Sequence, residues 1–497
     1  GQNYTLSYNG TTENAETGLD LTGVSGTIAK RKIMLGFGDV NKMYDTTPNN
    51  TTKNITSVTA GNTDGRGAAT LTADGITSAS FDTTGIVSYY GAGTTDASFQ
   101  RNPNVVTDAH GNVIPNGKDV QYSNLSGTLA AQPYAANYEI ADTSYGKGTI
   151  RKRVVTANDF NFNIDTATKM YDGTKDVVWT EGGRNYTDMA HVKKYFRNST
   201  LDLGGGNTAP INLDDISLNS AQYNSENVAS ANRVDYHVTI NTRNFEFNGT
   251  RDRTINHAGD TITKRDLATL LPQHLIKEYD GTATFDQTNR DFVNAMAREH
   301  LEGIVAADRN KGIVLNVTGT YNSPNASAET KADAEARTSA TAGRTVTYSL
   351  TLSGPAAATA NYTIGTSPTT LAADIYKKTL SVDVARKEKD YDGTAAVTGL
   401  TAGDIVFGGI AAGDTLALDS TALSLVNGKY LDAAGNADPT VSRDANRNVT
   451  DKAVSYTGLD AALADLATRD TTAANYRVDG GTKNYTAAAG KGRINPL

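Results

Sequence analysis

Apolar and polar residues alternate with a period of two along several stretches of the chain. In 345–352, Val346, Tyr348, Leu350 and Leu352 fall on one face while threonine and serine fill the other, which predicts a half-buried strand. Residues 3–8, 234–240 and 313–317 repeat the alternation. Helical spacing is rarer. In 288–301, Phe292, Val293, Met296, Ala297 and Leu301 form one apolar stripe, with Thr288 as the predicted cap and Asp291 three residues on. A shorter helix is predicted over 187–196.

Self-similarity orders these elements. Lys42-Met43-Tyr44-Asp45-Thr46-Thr47 returns as Lys169-Met170-Tyr171-Asp172-Gly173-Thr174, Lys277-Glu278-Tyr279-Asp280-Gly281-Thr282 and Lys389-Asp390-Tyr391-Asp392-Gly393-Thr394, the tyrosines 127, 108 and 112 residues apart. A second marker opens a strand-like segment: Asn3-Tyr4, Asn137-Tyr138, Asp235-Tyr236, Asn361-Tyr362 and Asn475-Tyr476. A third closes each period as Ile-x-Lys, at Ile28, Ile150, Ile262 and Ile375, with Ile494 as a variant. Three markers in one order at a fixed period predict tandem repeats. Cutting after the closing strands gives repeats over 30–151, 152–263, 264–376 and 377–497. Residues 1–29 are then the terminal strands of a preceding, incomplete repeat, left by cropping or available for strand addition to a neighbouring molecule.

The expected fold is mostly β, a tandem array of four β-grasp-like or immunoglobulin-like domains, some with one short helix. The helices predicted over 187–196 and 288–301 follow the Tyr-Asp motif of the second and third repeats, and none is predicted at that place in the first and fourth. Within the motif, the aspartate of a tight turn accepts an amide bond from two residues on, and Gly173, Gly281 and Gly393 supply a positive φ. Thr46 replaces that glycine, which predicts a different turn in the first repeat. Tyr44, Asp45, Tyr171, Asp172, Tyr279, Asp280, Tyr391 and Asp392 read as structural parts of the turn, a recurring ligand site being the alternative.

The Lys-x-Tyr-Asp-Gly-Thr motif, the Asn-Tyr strand and the closing Ile segment together resemble the YDG and mostly-β-grasp repeats of filamentous-haemagglutinin-type adhesins, including the two-partner-secreted exoproteins of Gram-negative bacteria. The likeness spans the whole chain. It implies a stalk or fibre region of a secreted surface adhesin, located outside the cell, with no catalytic residues to carry over. Self-assembly into an extracellular filament by strand addition, and glycan binding by the repeats, are the alternatives. The expected partners are neighbouring repeats, other copies of the chain, and a host or matrix receptor of unknown kind.

Composition narrows the chemistry. With 497 residues the chain exceeds one ordinary core, and 38% hydrophobic against 20% charged residues describes a folded, polar-surfaced protein. A net charge of −8 with dispersed Lys and Arg argues against nucleic acid, and the absence of cysteine removes disulfides and thiolate chemistry. No apolar run is long enough to span a bilayer, so membrane insertion is not expected, and the start at Gly1 reads as a mature or excised piece. His110, His191, His237, His257, His274 and His300 share no ligand spacing, and no nucleophile elbow or phosphate loop is present, so no enzyme, cofactor or metal site is expected. Calcium has only thin candidates: Asp108 to Asn112 and Asp432 to Asn436, which read more simply as hairpin turns, and Asp214 with Asp215, which has no counterpart. Sequons at Asn54, Asn185, Asn198, Asn248, Asn316 and Asn448 raise surface glycosylation as a side expectation. Four compact repeats of roughly 40 Å would reach about 150 Å, with the basic seams at 30–32, 151–153, 264–265 and 377–378 governing bending.

Overall fold

Val234, Tyr236, Val238 and Ile240 are fully buried along Arg233–Ile240, and Val346 and Tyr348 point inward along Arg344–Ser353. Leu315 and Val317 do the same in Val314–Tyr321, so these three alternating runs are strands with one face on a core. The computed structural model describes residues 6–8, 11–13, 29–61, 66–92, 98–155, 163–364 and 370–497. The predicted positions Asn3, Tyr4 and Ile28 lie outside the described residues. The described chain is mostly β, with several sheets and few helices.

Two compact units form: Gly1–Ala167 with Asp176–Tyr223 and Arg233–Asp260, and Thr168–Lys175 with Asn224–Asn232 and Thr261–Leu497. Residues of the segment 152–263 therefore contribute to both.

In the first unit, Arg31–Phe37 runs antiparallel to Ile55–Ala60 and parallel to Tyr138–Ile140. A four-stranded sheet has the order Val40–Met43, Thr143–Arg151, Lys118–Ser123, Val87–Tyr90, its first pair parallel and the rest antiparallel. Arg153–Val154 lies parallel to Phe245–Glu246, and Ile216–Tyr223, Arg233–Ile240 and Asp252–Ala258 make an antiparallel sheet.

In the second unit, Thr168–Met170 runs parallel to Thr261–Thr263, and Arg265–Leu267 to Tyr362–Ile364. One sheet has the order His274–Glu278, Thr370–Tyr376, Arg344–Ser353, Val314–Tyr321. Another runs Lys387–Asp390, Tyr485–Asn495, Lys452–Thr457, Asn427–Leu431, Ala396–Val397, while Lys378–Thr379 pairs parallel with Tyr476–Arg477.

One register recurs. The strand carrying the motif lysine lies parallel beside the closing strand, with Lys42 opposite Ile150, Lys169 opposite Ile262, Lys277 opposite Ile375 and Lys389 opposite Ile494. The first and third sequence markers are thus cross-strand neighbours, and the four isoleucines are buried. The basic seams enter the same scheme, since Arg31, Arg153, Arg265 and Lys378 lie opposite Tyr138, Phe245, Tyr362 and Tyr476.

That pairing corrects the second marker. Asp235-Tyr236 sits in the middle of Arg233–Ile240, and the true counterpart of Asn361-Tyr362 is Asn244-Phe245. Phenylalanine keeps the ring but hides the Asn-Tyr signature. The third-repeat helix is Gln287–Glu299, capped by Asp286 accepting from the Asn289 amide rather than by Thr288. Its inward face is Asn289, Val293 and Ala297, which leaves Phe292 54% exposed. The second-repeat helix is Met189–Val192 with a 3₁₀ turn, Lys193–Tyr195. Gly67–Ala73 is helical although no helix was predicted there, as is Leu459–Ala467 elsewhere in the fourth repeat.

Candidate functional site

The motif strand ends four times in one turn. Oδ1 of Asp45, Asp172, Asp280 and Asp392 accepts the N–H of Thr47, Thr174, Thr282 and Thr394 at 2.9, 2.9, 2.9 and 2.8 Å, and the hydroxyl of the same threonine at 2.9 Å. The residue between takes φ of 80, 79 and 79° at Gly173, Gly281 and Gly393. Thr46 takes φ 69°, so the first turn is not a different type but the same backbone with a β-branched residue in the left-handed region. Thr46→Gly is expected to stabilise the first unit by about 1 kcal/mol, read as a higher denaturation midpoint. An unchanged or lower midpoint would mean that the Thr46 hydroxyl bond to the Asp45 carbonyl outweighs the strain.

Beneath each turn lies the motif lysine. Nζ of Lys42, Lys169, Lys277 and Lys389 sits 2.7 Å from the aspartate Oδ1 and donates to the threonine carbonyl at 2.7, 2.9, 2.8 and 2.8 Å. Asn49, Thr284 and Ala396 add a further carbonyl at 3.0, 2.9 and 3.0 Å. The ammonium of Lys42, Lys277 and Lys389 also faces the rings of Tyr90, Tyr321 and Tyr430. Burial pushes the Asp280 carboxyl up, but Lys277 and Thr282 overcome this and hold it below its ordinary value. Asp392, beside Lys389, is held down at about 2. The acceptors that could greet a ligand cation already surround a resident one.

The tyrosine before each aspartate points into a second arrangement. Tyr44 meets Phe245 edge-on with centroids 5.4 Å apart, Tyr171 meets Tyr362 at 5.4 Å, and Tyr279 meets Tyr476 at 5.3 Å. Tyr171 and Tyr362 both donate to Asp308 Oδ2, at 2.8 and 2.7 Å; Tyr279 and Tyr476 both donate to Asp414 Oδ2, at 2.8 and 2.6 Å. Burial first, and then the shared carboxylate, push Tyr279 and Tyr362 up to about 12. Burial raises Asp308, yet Lys311 at 2.7 Å and the two hydroxyls more than offset it and leave the carboxyl below its ordinary value.

The asparagine before each aromatic completes a joint. Asn244 accepts the Val105 N–H at 2.9 Å and donates to Asn104 Oδ1 at 2.8 Å. Asn361 does this with Val228 and Asn227, both at 2.9 Å, and Asn475 with Ala326 and Asn325 at 2.8 and 3.2 Å. Each joint ties the motif tyrosine and an Asn-Val or Asn-Ala loop to the Asn-aromatic pair more than 130 residues onward. The first lies within the first unit and the other two within the second.

The motif residues thus divide between a clip and a joint, with Tyr44, Tyr171 and Tyr279 buried in joints and Tyr391 41% exposed. Sequence reasoning missed the clip lysine's role, the loop asparagines and Asp308 and Asp414. The equal spacing of Lys and Asp was the available signal for the first; nothing local marks the others. The Asp108 carboxylate accepts the amides of His110 and Asn112, and Asp432 those of Ala434 and Asn436, closing two turns. Asp444, with the amides of Asn446 and Asn448, makes a third that was not foreseen. Among the described residues no three His, Asp or Glu side chains gather to hold a metal ion.

A different buried lysine separates the repeats. Lys118 is 1% exposed and donates to the Gly91 carbonyl at 2.5 Å; burial, then Arg243, pulls it down to about 8. Lys452 is equally buried but pairs with Asp438. Asn102 occupies the place of Asp438: their N–H groups donate to the carbonyls of Tyr90 and Tyr430 at 2.9 Å, and their Oδ1 atoms accept from Asn104 and Thr440 at 2.8 Å. Asn102→Asp is expected to stabilise the first unit by about 2 kcal/mol at neutral pH. A lysine lowered by folding makes the native protein gain stability as pH rises from about 8 to about 10, because the unfolded chain then binds more protons. The variant should lose that rise, which denaturation at the two pH values measures, and equal slopes would sink the assignment.

Compared with known proteins, the chain matches no protein-family model and no curated protein.

Proposed function

We propose that this chain is a load-bearing repeat region of a secreted bacterial surface adhesin, holding an attachment site away from the cell. Each repeat is read as a β-grasp-like domain; in the first, third and fourth the motif strand lies parallel to the closing strand, which pairs antiparallel with its other neighbour, and a helix lies over the sheet in the third. The observation that carries the reading is the joint, built three times from a motif tyrosine, an Asn-aromatic pair and a loop asparagine. A design that spends its most specific side chains on linking one repeat to the next, and fills its turn sites with lysine, suits mechanical continuity rather than turnover. The role requires no catalytic residue or cofactor. The motif resemblance to filamentous-haemagglutinin-type repeats supports the extracellular setting.

Stretching single molecules between their termini tests the proposal. Four resisted steps are expected, each releasing roughly 40 nm at about 3.6 Å per residue. Extension without resisted steps, or one step for the whole chain, would end it.

A further inference from the structure

The four-stranded sheet of the third repeat ends on Val314–Tyr321, and the sequence from Ile313 to Tyr321 holds no charged residue and no proline. Such a segment at a sheet edge is a template for pairing with another chain, because every second residue turns its N–H and C=O away from the sheet. Here groups on that side are taken. The helix Gln287–Glu299 presents the Asn294 side-chain amide to Val317 as a neighbouring strand would. Its Nδ2 donates to the Val317 carbonyl at 3.0 Å, and its Oδ1 accepts the Val317 N–H at 2.8 Å. One turn on, Arg298 Nε donates to the Leu315 carbonyl and Nη2 to Asn316 Oδ1, both at 2.8 Å. Farther along, the Tyr321 N–H donates to the Ala283 carbonyl at 2.7 Å, and Thr284 bridges Thr320.

These two side chains are not what anchors the helix. Val293 and Ala297 are fully buried beneath it, and the buried Asn289 donates to the Ile276 carbonyl and the Tyr321 hydroxyl, whereas Asn294 is half-buried and Arg298 exposed. The corresponding strands of the other repeats are Val87–Tyr90, Ile216–Tyr223 and Asn427–Leu431, each antiparallel to its neighbour as Val314–Tyr321 is to Arg344–Ser353. Each meets a different cover. In the first repeat the Tyr90 N–H donates to the Pro48 carbonyl and the Asn50 N–H to the Ser88 carbonyl, at 2.7 and 3.0 Å. In the second, Lys193 Nζ donates to the Ile216 carbonyl at 2.7 Å and Asp176 bridges Gln222. In the fourth, Ala396–Val397 pairs as a further strand. Four unlike covers on one edge make closure of that edge, rather than any one set of residues, the recurring feature.

We propose that Asn294 and Arg298 guard the third repeat against strand addition, and that without them Val314–Tyr321 pairs edge to edge with the same strand of a second copy. The strand matches itself in antiparallel register about Val317: Val317 faces Val317, Asn316 faces Thr318, and no like charges oppose one another. The two Val317 residues then exchange both of the hydrogen bonds that Asn294 makes within one chain. The guard is independent of the adhesin reading.

Sedimentation of the full chain over the micromolar to sub-millimolar range tests it. Asn294→Ala combined with Arg298→Ala should dimerise at least about tenfold more tightly than the native chain, since the freed groups regain partners only by pairing. Asn294→Ala alone should fall between the two and carries the test should the double variant fail to fold. Thr318→Lys, an exposed change, should return the double variant to native behaviour by placing two lysines diagonally across the Val317 pair. In dilute Asn294→Ala the Val317 amide should exchange faster than in the native chain. Unchanged association in both unguarded variants, association that Thr318→Lys leaves intact, or native exchange at Val317 overturns the proposal.

Discussion

Tyr279→Ala is expected to weaken the joint to Tyr476 by about 3–5 kcal/mol, the range for deleting a buried aromatic ring. Tyr279 is 4% exposed, its edge lies against Tyr476, and its hydroxyl is one of two donors to Asp414. The loss should appear as faster hydrogen exchange at Ala326 and around Asn475, whose amides and side chains make up the rest of the joint. Tyr391→Ala changes the same motif position where the ring is half in water, and should cost less than about 1 kcal/mol. Equal costs at the two sites would show that the tyrosine serves its own turn and not the joint.

Asp280→Ala should destabilise the second unit by about 3 kcal/mol, and by more than Lys277→Met. The asymmetry follows from exposure. The Lys277 side chain is fully buried and loses its counter-charge with no route to water, whereas Asp280, 34% exposed, can hydrate once the lysine is gone. The remaining carbonyls of Thr282 and Thr284 soften the loss without neutralising the charge. Because folding lowers the Asp280 carboxyl, its contribution is present above about pH 4 and disappears as acid protonates it in the native state. Chemical denaturation of both variants at neutral and acid pH gives the order directly; Lys277→Met proving the more damaging would reverse the assignment of the buried partner.

The strands were legible because alternation reports burial on one face, and Arg233–Ile240 and Arg344–Ser353 keep it without interruption. The helix Gln287–Glu299 was legible in type but not in register. Asp286 to Asn289 and Thr288 to Asp291 offer competing caps two residues apart, and choosing the latter turned Phe292 inward on paper. Leu459–Ala467 starts from Gly458, whose φ is 83° and which has no side chain to announce a cap. In the turn, Thr46 looked like a break in the motif because local preference disfavours its conformation, yet the clip of Lys42 on Asp45 and Thr47 imposes it. The joints were beyond sequence reasoning for a simpler reason. Their halves come from consecutive repeats and lie more than 130 residues apart, Phe245 disguises one ring, and Asp308 and Asp414 precede their tyrosines by unequal distances of 54 and 62 residues.

The parallel pairing of Lys387–Asp390 with Tyr485–Asn495, like that of Val40–Met43 with Thr143–Arg151, sets how these segments meet tension. When the chain is drawn from its ends, two such neighbours are dragged past one another along their length. Their evenly spaced hydrogen bonds then carry the pull in shear and give way in unison, instead of unzipping one after another.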